Sequence, residues 1–261
     1  MSRLRQLLPA LLAFGLASPL AGSVAGGGFG LSVLVDGAPR PEFPGHGAFY
    51  VEAIRGREYG LRITNPLPVR VAVALSVDGL NTIDSRHTDA ASARKWVLGP
   101  YESVVISGWQ VSGEAARRFY FTGERSSYGA RLGQTEDLGV IEAVFFREKE
   151  PYRQAWQKPK DTPGPFECDA GAPKARAEAG AAAPESAAKL SDDYAATGMG
   201  GRTRHAVTEV SLDLEPAPVA MLRIRYEFRP ILEKLGVLPR AEDPLERRER
   251  SHGFGPFCPE R

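Results

Sequence analysis

Apolar residues alternate with small or charged residues along much of this chain, and that period of two constrains the fold more than any other feature. The clearest run extends from Val69 to Val77, where every odd position is Val or Leu. A period of two places successive side chains on opposite faces of an extended strand. Between Gly30 and about Arg147 such runs are short and are separated by Gly, Pro, Asp and Asn, which is typical of antiparallel β-structure.

This region is predicted to hold at least seven strands joined by short connections. The predicted strands cover residues 31–35, 48–54, 58–64, 69–77, 94–98, 103–107 and 138–147, with an eighth candidate at 118–122. The dipeptide Asp78-Gly79 directly follows one strand, and Asp36-Gly37 follows another, so each favours a tight turn with Gly at positive φ. The even positions of 69–77 are Arg70, Ala72, Ala74 and Ser76, so that face is small rather than strongly charged, and the sequence leaves open whether another layer covers it.

The same alternation returns near the C-terminus, in residues 208–214 and 220–228. Two strands are marginal as an independent domain, so we expect them to complete the sheets begun upstream. A short helix is predicted at 231–235, where Gly236 and Pro239 end it. The predicted fold is therefore all-β, an antiparallel β-sandwich of immunoglobulin-like or jelly-roll-like type, with a short C-terminal helix.

An Ala-rich stretch interrupts the pattern: residues 170–188 contain ten alanines and too little bulky apolar surface for a core. We predict a flexible insertion at 151–202 within one discontinuous domain that comprises 30–150 and 203–239. The remaining residues, 240–261, are predicted to be an irregular, charged tail.

The N-terminus resembles a secretory signal peptide. Arg3 and Arg5 precede the apolar run Leu7–Leu16, which is too short to cross a bilayer. Small residues favour cleavage after Ala25, so that residues 1–25 are removed, and cleavage after Ala21 is the alternative. An uncleaved membrane anchor is the other interpretation. We therefore expect a periplasmic or secreted protein without a membrane span in the mature chain.

Cysteine content and charge balance exclude several classes of function. In an exported chain the two cysteines, Cys168 and Cys258, are predicted to form a disulfide, with two unpaired thiols as the alternative. Lys and Arg number 33 and Asp and Glu 32, so no strongly basic surface for nucleic acid is expected. No nucleophile elbow or P-loop occurs, and the four histidines are scattered. We predict no catalytic residue, no cofactor and no metal site, which favours a non-enzymatic protein.

Two polar loops are the candidate binding sites. Asp78, Asn81, Asp84 and His87 follow a core-like strand and form a possible ligand loop for a hard cation or a sugar, the alternative being a merely solvated loop. A second loop lies between two aromatic runs and is rich in Gly, Ser and charge. Its candidate partner-binding residues are Glu124, Arg125 and Tyr128, and the alternative is an ordinary mobile loop.

Four short stretches together resemble a family of uncharacterised exported bacterial proteins. They are Val77–Asn81, Gly99–Glu102, Gly108–Trp109 and Ala195–Gly200. The likeness covers most of the mature chain and implies a single β-rich unit spanning the Ala-rich insertion. It implies no activity, substrate or functional residue.

These observations lead to three functional hypotheses. The first is an exported, non-enzymatic β-sandwich that binds a protein or surface component through its loops. The second is a glycan-binding or glycan-hydrolysing module of the cell envelope, in which Trp96 or Trp109 stacks on sugar and Asp78, Asp84 or Glu102 supplies carboxylates. The third is a structural role in an assembly. The partner would be an unknown envelope protein or a glycan.

Overall fold

The structure is a computed structural model that describes residues 24–149, 190–240 and 244–249. Two multi-stranded β-sheets enclose a common core, so the predicted all-β sandwich is confirmed. Cys168 and Cys258 lie outside the described residues, as do most of the predicted signal peptide and most of the predicted insertion.

Sheet A has eight strands in the described part of the chain. These are β1 (Val24–Gly26), β2 (Phe29–Val35), β3 (Ala38–Pro39), β6 (Glu58–Thr64), β10 (Ser103–Ile106), β11 (Gly108–Ser112), β12 (Ala115–Gly123) and β14 (Ala195–Arg204). The order is β1-β2-β6-β12-β11, with β3 on β2, β10 on β6 and β14 on β12. All of these pairings are antiparallel.

Sheet B has seven strands over the same described ranges. These are β4 (Glu42–Gly45), β5 (Ala48–Ala53), β7 (Val71–Val77), β8 (Leu80–Asn81), β9 (Trp96–Leu98), β13 (Val140–Arg147) and β15 (Ala220–Phe228). The order is β4-β5-β15-β13-β7-β8, with β9 also on β7. The pair β5 and β15 runs parallel, whereas the other pairs are antiparallel.

Three short α-helices complete the described chain. They are α1 (Tyr128–Leu132), α2 (Arg229–Lys234) and α3 (Pro244–Glu249), and a 3-10 turn over Glu124–Ser126 precedes α1. The predicted helix at 231–235 corresponds to α2, which begins two residues earlier with Pro230 in its first turn. The tail predicted to be irregular contains α3.

The alternation along the strands packs inward as expected. Every odd residue of β7 is fully buried between the sheets, among aromatic side chains such as Phe119, Phe145 and Tyr226. The small even face of β7 is also covered, because Ala93 from the following loop packs against Ala74. A second layer therefore shields this side of sheet B, which settles the question that the sequence left open.

Two predictions near the Ala-rich region are wrong. Residues 195–202, placed in the flexible insertion, form most of β14, which pairs with β12 over nearly its full length. Their Gly-rich sequence lacks bulky alternation, but Gly198 gives room for the ring of Tyr120 on the neighbouring strand. Residues 208–214, predicted to be a strand, have only an isolated bridge between Leu214 and Glu148.

Residues 205–214 instead form a strap that crosses the open edge of the sandwich. The backbone N–H groups of His205 and Val207 donate to carbonyls of the β11–β12 turn, each at 2.9 Å, and the isolated bridge then joins the strap to the end of β13. The segment connects sheet A to sheet B, so it cannot run inside either sheet. Its apolar alternation is consequently left partly exposed.

Candidate functional site

An open cleft of about 440 Å³ lies at the edge of the sandwich, beneath the strap. Its walls come from residues 94–97 around β9, residues 104–106 of β10 and residues 205–210 of the strap. Because β9 belongs to sheet B and β10 to sheet A, the cleft occupies the gap where the two sheets separate.

The cleft meets both strands at their edges. Consecutive residues such as Val104, Val105 and Ile106 all line it, although neighbouring side chains on a strand point to opposite faces. Within the described ranges, β9 pairs only with β7 and β10 only with β6, so each has one unpaired edge. Unpaired strand edges present backbone N–H and C=O groups that are ready to bind another strand.

A polar network fixes the cleft wall. The indole Nε1 of Trp96 donates to the hydroxyl of Thr82 at 2.9 Å, and its ring lies 5.5 Å from the imidazole of His205. The Gln110 amide nitrogen donates to the backbone carbonyls of Ser112 and His205, at 2.6 and 2.9 Å. These bonds hold Trp96, Gln110 and His205 in defined orientations.

The protonation of His205 follows from this network. Its Nδ1 lies 2.7 Å from Gln110 Oε1, which is an acceptor because the amide nitrogen donates elsewhere. The imidazole Nδ1 therefore carries the hydrogen, and burial lowers the pKa of His205 and favours the neutral ring. In this tautomer Nε2 is an acceptor.

Exposed valines surround the mouth of the cleft. Val105, Val111 and Val210 are 48, 49 and 55% exposed, and Val207 lies among them. A neighbouring hollow of about 460 Å³ shares five lining residues with the cleft, so the two form one groove. At its rim Arg94 and Glu209 form an ion pair, at 3.1 Å. Clustered exposed apolar residues with a polar rim mark an interaction surface.

Asp78, the first residue of the predicted ligand loop, lies in the core and not at the surface. With Gly79 it forms the two-residue turn between β7 and β8, both at positive φ. Its carboxylate accepts hydrogen bonds from the Tyr226 hydroxyl at 2.5 Å, Thr197 N at 2.7 Å and Gly139 N at 2.9 Å. The Thr197 hydroxyl lies 2.6 Å from the hydroxyls of both Tyr226 and Tyr59.

Burial sets the protonation of this carboxyl. It raises the pKa of Asp78 to about 7, and the nearby charge of Glu124 adds to the rise, although the hydrogen bonds from Tyr226, Thr197 and Gly139 oppose it. The carboxyl has no access to a ligand, so it serves the fold and not a binding loop.

The other residues of the predicted ligand loop make mostly local contacts. Asn81 is buried; its side-chain amide accepts a hydrogen bond from Ile83 N and donates one to the carbonyl of Arg94. The Asp84 carboxylate accepts a hydrogen bond from Arg86 N. His87 lies 3.0 Å from the carbonyl of Gly79. Asn81 and His87 line a cavity of only about 110 Å³. In the described part of the chain, no group of three His, Cys, Asp or Glu side chains is arranged to hold a metal ion.

The predicted partner-binding loop is engaged by the protein itself. Glu124 accepts from Ser191 N at 2.9 Å, and Arg125 Nε donates to the carbonyl of Leu190 at 2.9 Å. The ring of Tyr128 packs against buried Trp109, 5.1 Å away. These three side chains therefore hold the returning chain and the core, although Arg125 remains exposed.

The two tryptophans have different environments. Trp109 is fully buried in the core, and its Nε1 has no hydrogen-bond partner among the described atoms. Trp96 is half-buried and lines the cleft. Of the carboxylates proposed for glycan hydrolysis, Asp78 is buried, while Glu102 accepts from Gly99 N at 2.6 Å and Asp84 stays in its own loop. The three do not converge beside Trp96.

Sequence reasoning missed Gln110, His205 and the strap. Trp96 was the only signal that pointed here, since His205 was one of four scattered histidines. The cleft arises from segments about a hundred residues apart, so no local pattern encodes it.

Comparison of the chain with protein-family models, curated proteins and solved structures found no match. None of the helices in the described ranges has the length and apolar character needed to cross a membrane.

Proposed function

We propose that this protein is an exported, non-enzymatic β-sandwich that binds an extended segment of a partner protein in the cleft beneath the strap. The observation that carries the proposal is the edge-on approach of the cleft to β9 and β10, whose outer edges pair with no other strand in the described ranges. An extended segment adds to such an edge through backbone hydrogen bonds, and pockets for alternate side chains give specificity.

The side chains around the cleft suit such a segment. Val105, Val207 and Val210 provide exposed apolar contact area, and Trp96 adds a rigid ring. The hydrogen-bond acceptor at Nε2 of His205 complements a backbone N–H or a side-chain donor of the partner. This surface replaces the Glu124 loop as the proposed contact, because that loop holds residues 190–191.

Site-specific photocrosslinking in cells tests the proposal. A photoreactive amino acid is placed at Val105 or Val210, and at Met221 as a control, since Met221 is 57% exposed on the outer face of sheet B. We expect the two cleft positions to capture the same envelope protein through one short segment, and the control position to capture none of it. Equal capture from Met221 would contradict the cleft as the binding site. Capture of a second copy of this chain would favour the structural role in an assembly.

A glycan is the second candidate ligand, and the half-buried indole of Trp96 in an open cleft is the observation that favours it. Titration of the purified protein with soluble envelope oligosaccharides, followed by isothermal calorimetry, distinguishes the two. A response lost in Trp96→Leu and retained in Arg225→Ala, an exposed residue of β15 that does not line the cleft, would support a sugar. No response to any sugar, together with crosslinks from Val105, would favour a protein as the ligand of the cleft.

The export proposal has its own test in the position of cleavage. β1 (Val24–Gly26) pairs with β2, so cleavage after Ala25 would divide a strand, whereas cleavage after Ala21 would preserve it. We expect N-terminal sequencing of the exported protein to begin at Gly22. A start at Gly26 would mean that the mature protein lacks β1.

A further inference from the structure

Three arginines share one face of the ladder between β12 and β14. Arg117 lies directly opposite Arg202, and Arg204 is two residues further along β14. Directly opposite residues of an antiparallel pair lie on the same face, as do residues two apart on one strand. The three side chains therefore project from the same side, and each of these residues is exposed.

The charge of this face is not balanced by the protein. Neighbouring Arg118 forms an ion pair with Glu58 at 2.8 Å, whereas Arg117, Arg202 and Arg204 form none with any carboxylate in the described ranges. The guanidinium of Arg117 donates to a backbone carbonyl of β14, at 3.2 Å, which leaves its charge in place. Like charges directly opposite each other in a sheet are unfavourable, so a bound anion would relieve this arrangement.

The backbone of β14 also has an open edge beside these arginines. His205 N donates to the carbonyl of Glu114, just before β12, and successive residues of a strand direct their N–H and C=O groups to opposite edges. Arg202 and Arg204 lie an odd number of residues before His205, without a register shift between them, so their N–H and C=O groups point away from β12. In the part of the chain that the structure describes, β14 pairs with no other strand.

The protein closes this edge with its own carboxylates only at the start of β14. There Ala195 N donates to Glu227 at 3.0 Å and Thr197 N donates to Asp78 at 2.7 Å. Over the described ranges no side chain takes that place at residues 202–204. An unpaired edge of this kind can accept a further strand.

We propose that residues 202–204 of β14 bind an acidic, extended segment of a partner protein as an added strand. Residues on the same face of a strand repeat about every 7 Å, so carboxylates at alternate positions of the segment lie opposite Arg202 and Arg204. Opposite charges stabilise a strand pair, and arginine binds a carboxylate through two parallel hydrogen bonds. None of the three arginines lines the cleft beneath the strap, so this surface is separate from it.

The arginines also select against other strands. Pairing with a neutral or basic strand removes their charges from water without compensation, which is how charged side chains protect a sheet edge. A carboxylate opposite each arginine supplies the missing compensation. The edge therefore combines backbone groups that attract any strand with side chains that admit an acidic one.

Binding of labelled peptides to the full-length protein, followed by fluorescence anisotropy, tests the proposal. The probe alternates Glu with Thr. One control alternates Gln with Thr, and the other is the Glu-Thr peptide with methylated backbone nitrogens, which keeps the charge and loses the N–H donors. We expect the probe to bind about tenfold more tightly than either control. The double variant Arg202→Gln/Arg204→Gln should lose about tenfold in affinity, since two exposed ion pairs are removed. Arg225→Gln, at an exposed arginine of β15, should change nothing.

Backbone NMR of the complex gives a second measurement. We expect the amides of Arg202 and Arg204 to become protected from exchange, because their N–H groups face the added strand. The amide of Thr203, which faces β12, should keep the protection that it has in the free protein.

Equal binding of the methylated peptide would show that charge alone attracts the segment, and would overturn the added strand. Unchanged affinity in the double variant would overturn the proposal as well. So would binding of phosphatidylglycerol vesicles that the double variant loses, if the Glu-Thr peptide does not bind. Should the double variant aggregate, Arg117→Gln leaves the edge strand intact and should weaken binding of the probe about threefold.

Discussion

The chain enters and leaves β14 through two segments whose backbone groups are satisfied in different ways. Residues 190–197, which run into the first residues of β14, enter sheet A with three backbone N–H groups bonded to the carboxylates of Glu124, Glu227 and Asp78, and they close one end of the sandwich. The strap, residues 205–214, leaves sheet A with a few backbone bonds and with residues 206–211 exposed, and it bridges an open cleft. At the first end, side chains satisfy the backbone hydrogen-bonding groups and close the sandwich. At the second end they do not, so unpaired strand edges and apolar side chains are exposed to a partner.

The largest expected effect is at Asp78. Asp78→Ala leaves Tyr226, Thr197 N and Gly139 N without their acceptor in the core, so we expect a loss of about 4 kcal/mol of unfolding free energy at pH 5. The loss should be smaller at pH 8, because the raised pKa means that the contribution of this carboxyl fades as pH rises through about 7. Urea unfolding at both pH values measures it.

Asp84→Ala is the control for that experiment, since among the described residues the Asp84 carboxylate accepts a hydrogen bond from Arg86 N in the exposed loop. A similar loss in both variants would contradict the distinction between a sealed end and a solvated loop.

A smaller but substantial effect is expected from Gly108→Ala beside the cleft. An added Cβ would lie 2.1 Å from the backbone oxygen of Arg117, so β11 and β12 must separate, at a cost of about 3 kcal/mol. Thermal unfolding measures the change. Gly113→Ala, where nothing lies within 4 Å of the added Cβ, should be close to neutral. If Gly108→Ala proved neutral, the cleft wall would be less rigid than its hydrogen bonds indicate.

The next largest loss of unfolding free energy is expected for Tyr226→Phe, beside Asp78. Removal of a hydroxyl that donates to a buried carboxylate should cost about 2 kcal/mol and should raise the pKa of Asp78 further, because this hydrogen bond lowers it. The pH dependence of unfolding should then extend to higher pH. An unchanged pH dependence would show that another group titrates there.

Substitutions around the cleft should have the smallest effects on the unfolding free energy. Val105→Asp and Arg94→Ala alter exposed residues, so each should change the unfolding free energy by less than about 0.5 kcal/mol. Val105→Asp should nevertheless abolish partner capture from position 210. A stability loss as large as that of Tyr226→Phe would mean that the cleft rim supports the fold, which would remove the contrast between the two regions.

The alternation of apolar residues predicts individual strands well, but it does not predict which other segments pack against them. β6 occupies Glu58–Thr64 as expected, since its apolar positions face the core. The dipeptide Asp-Gly correctly predicts two turns, but Asp36 is exposed and paired with Arg57, whereas Asp78 is buried. The difference comes from β14, which covers only the second turn and is distant in sequence. Because β14 pairs with β12, which is distant in sequence, local patterns predicted neither β14 nor the cleft.

The hydroxyl network around Asp78 has a definite polarity when the carboxylate is charged. Each hydroxyl carries a single hydrogen, so Tyr226, which donates to Asp78, must accept from Thr197, and Thr197 in turn accepts from Tyr59. Three hydroxyl dipoles then point in one direction through the core, toward the negative charge. One proton added to the carboxyl oxygen that faces Tyr226 would let the whole row reverse, so the orientation of Tyr59 reports a titration on the opposite side of Thr197.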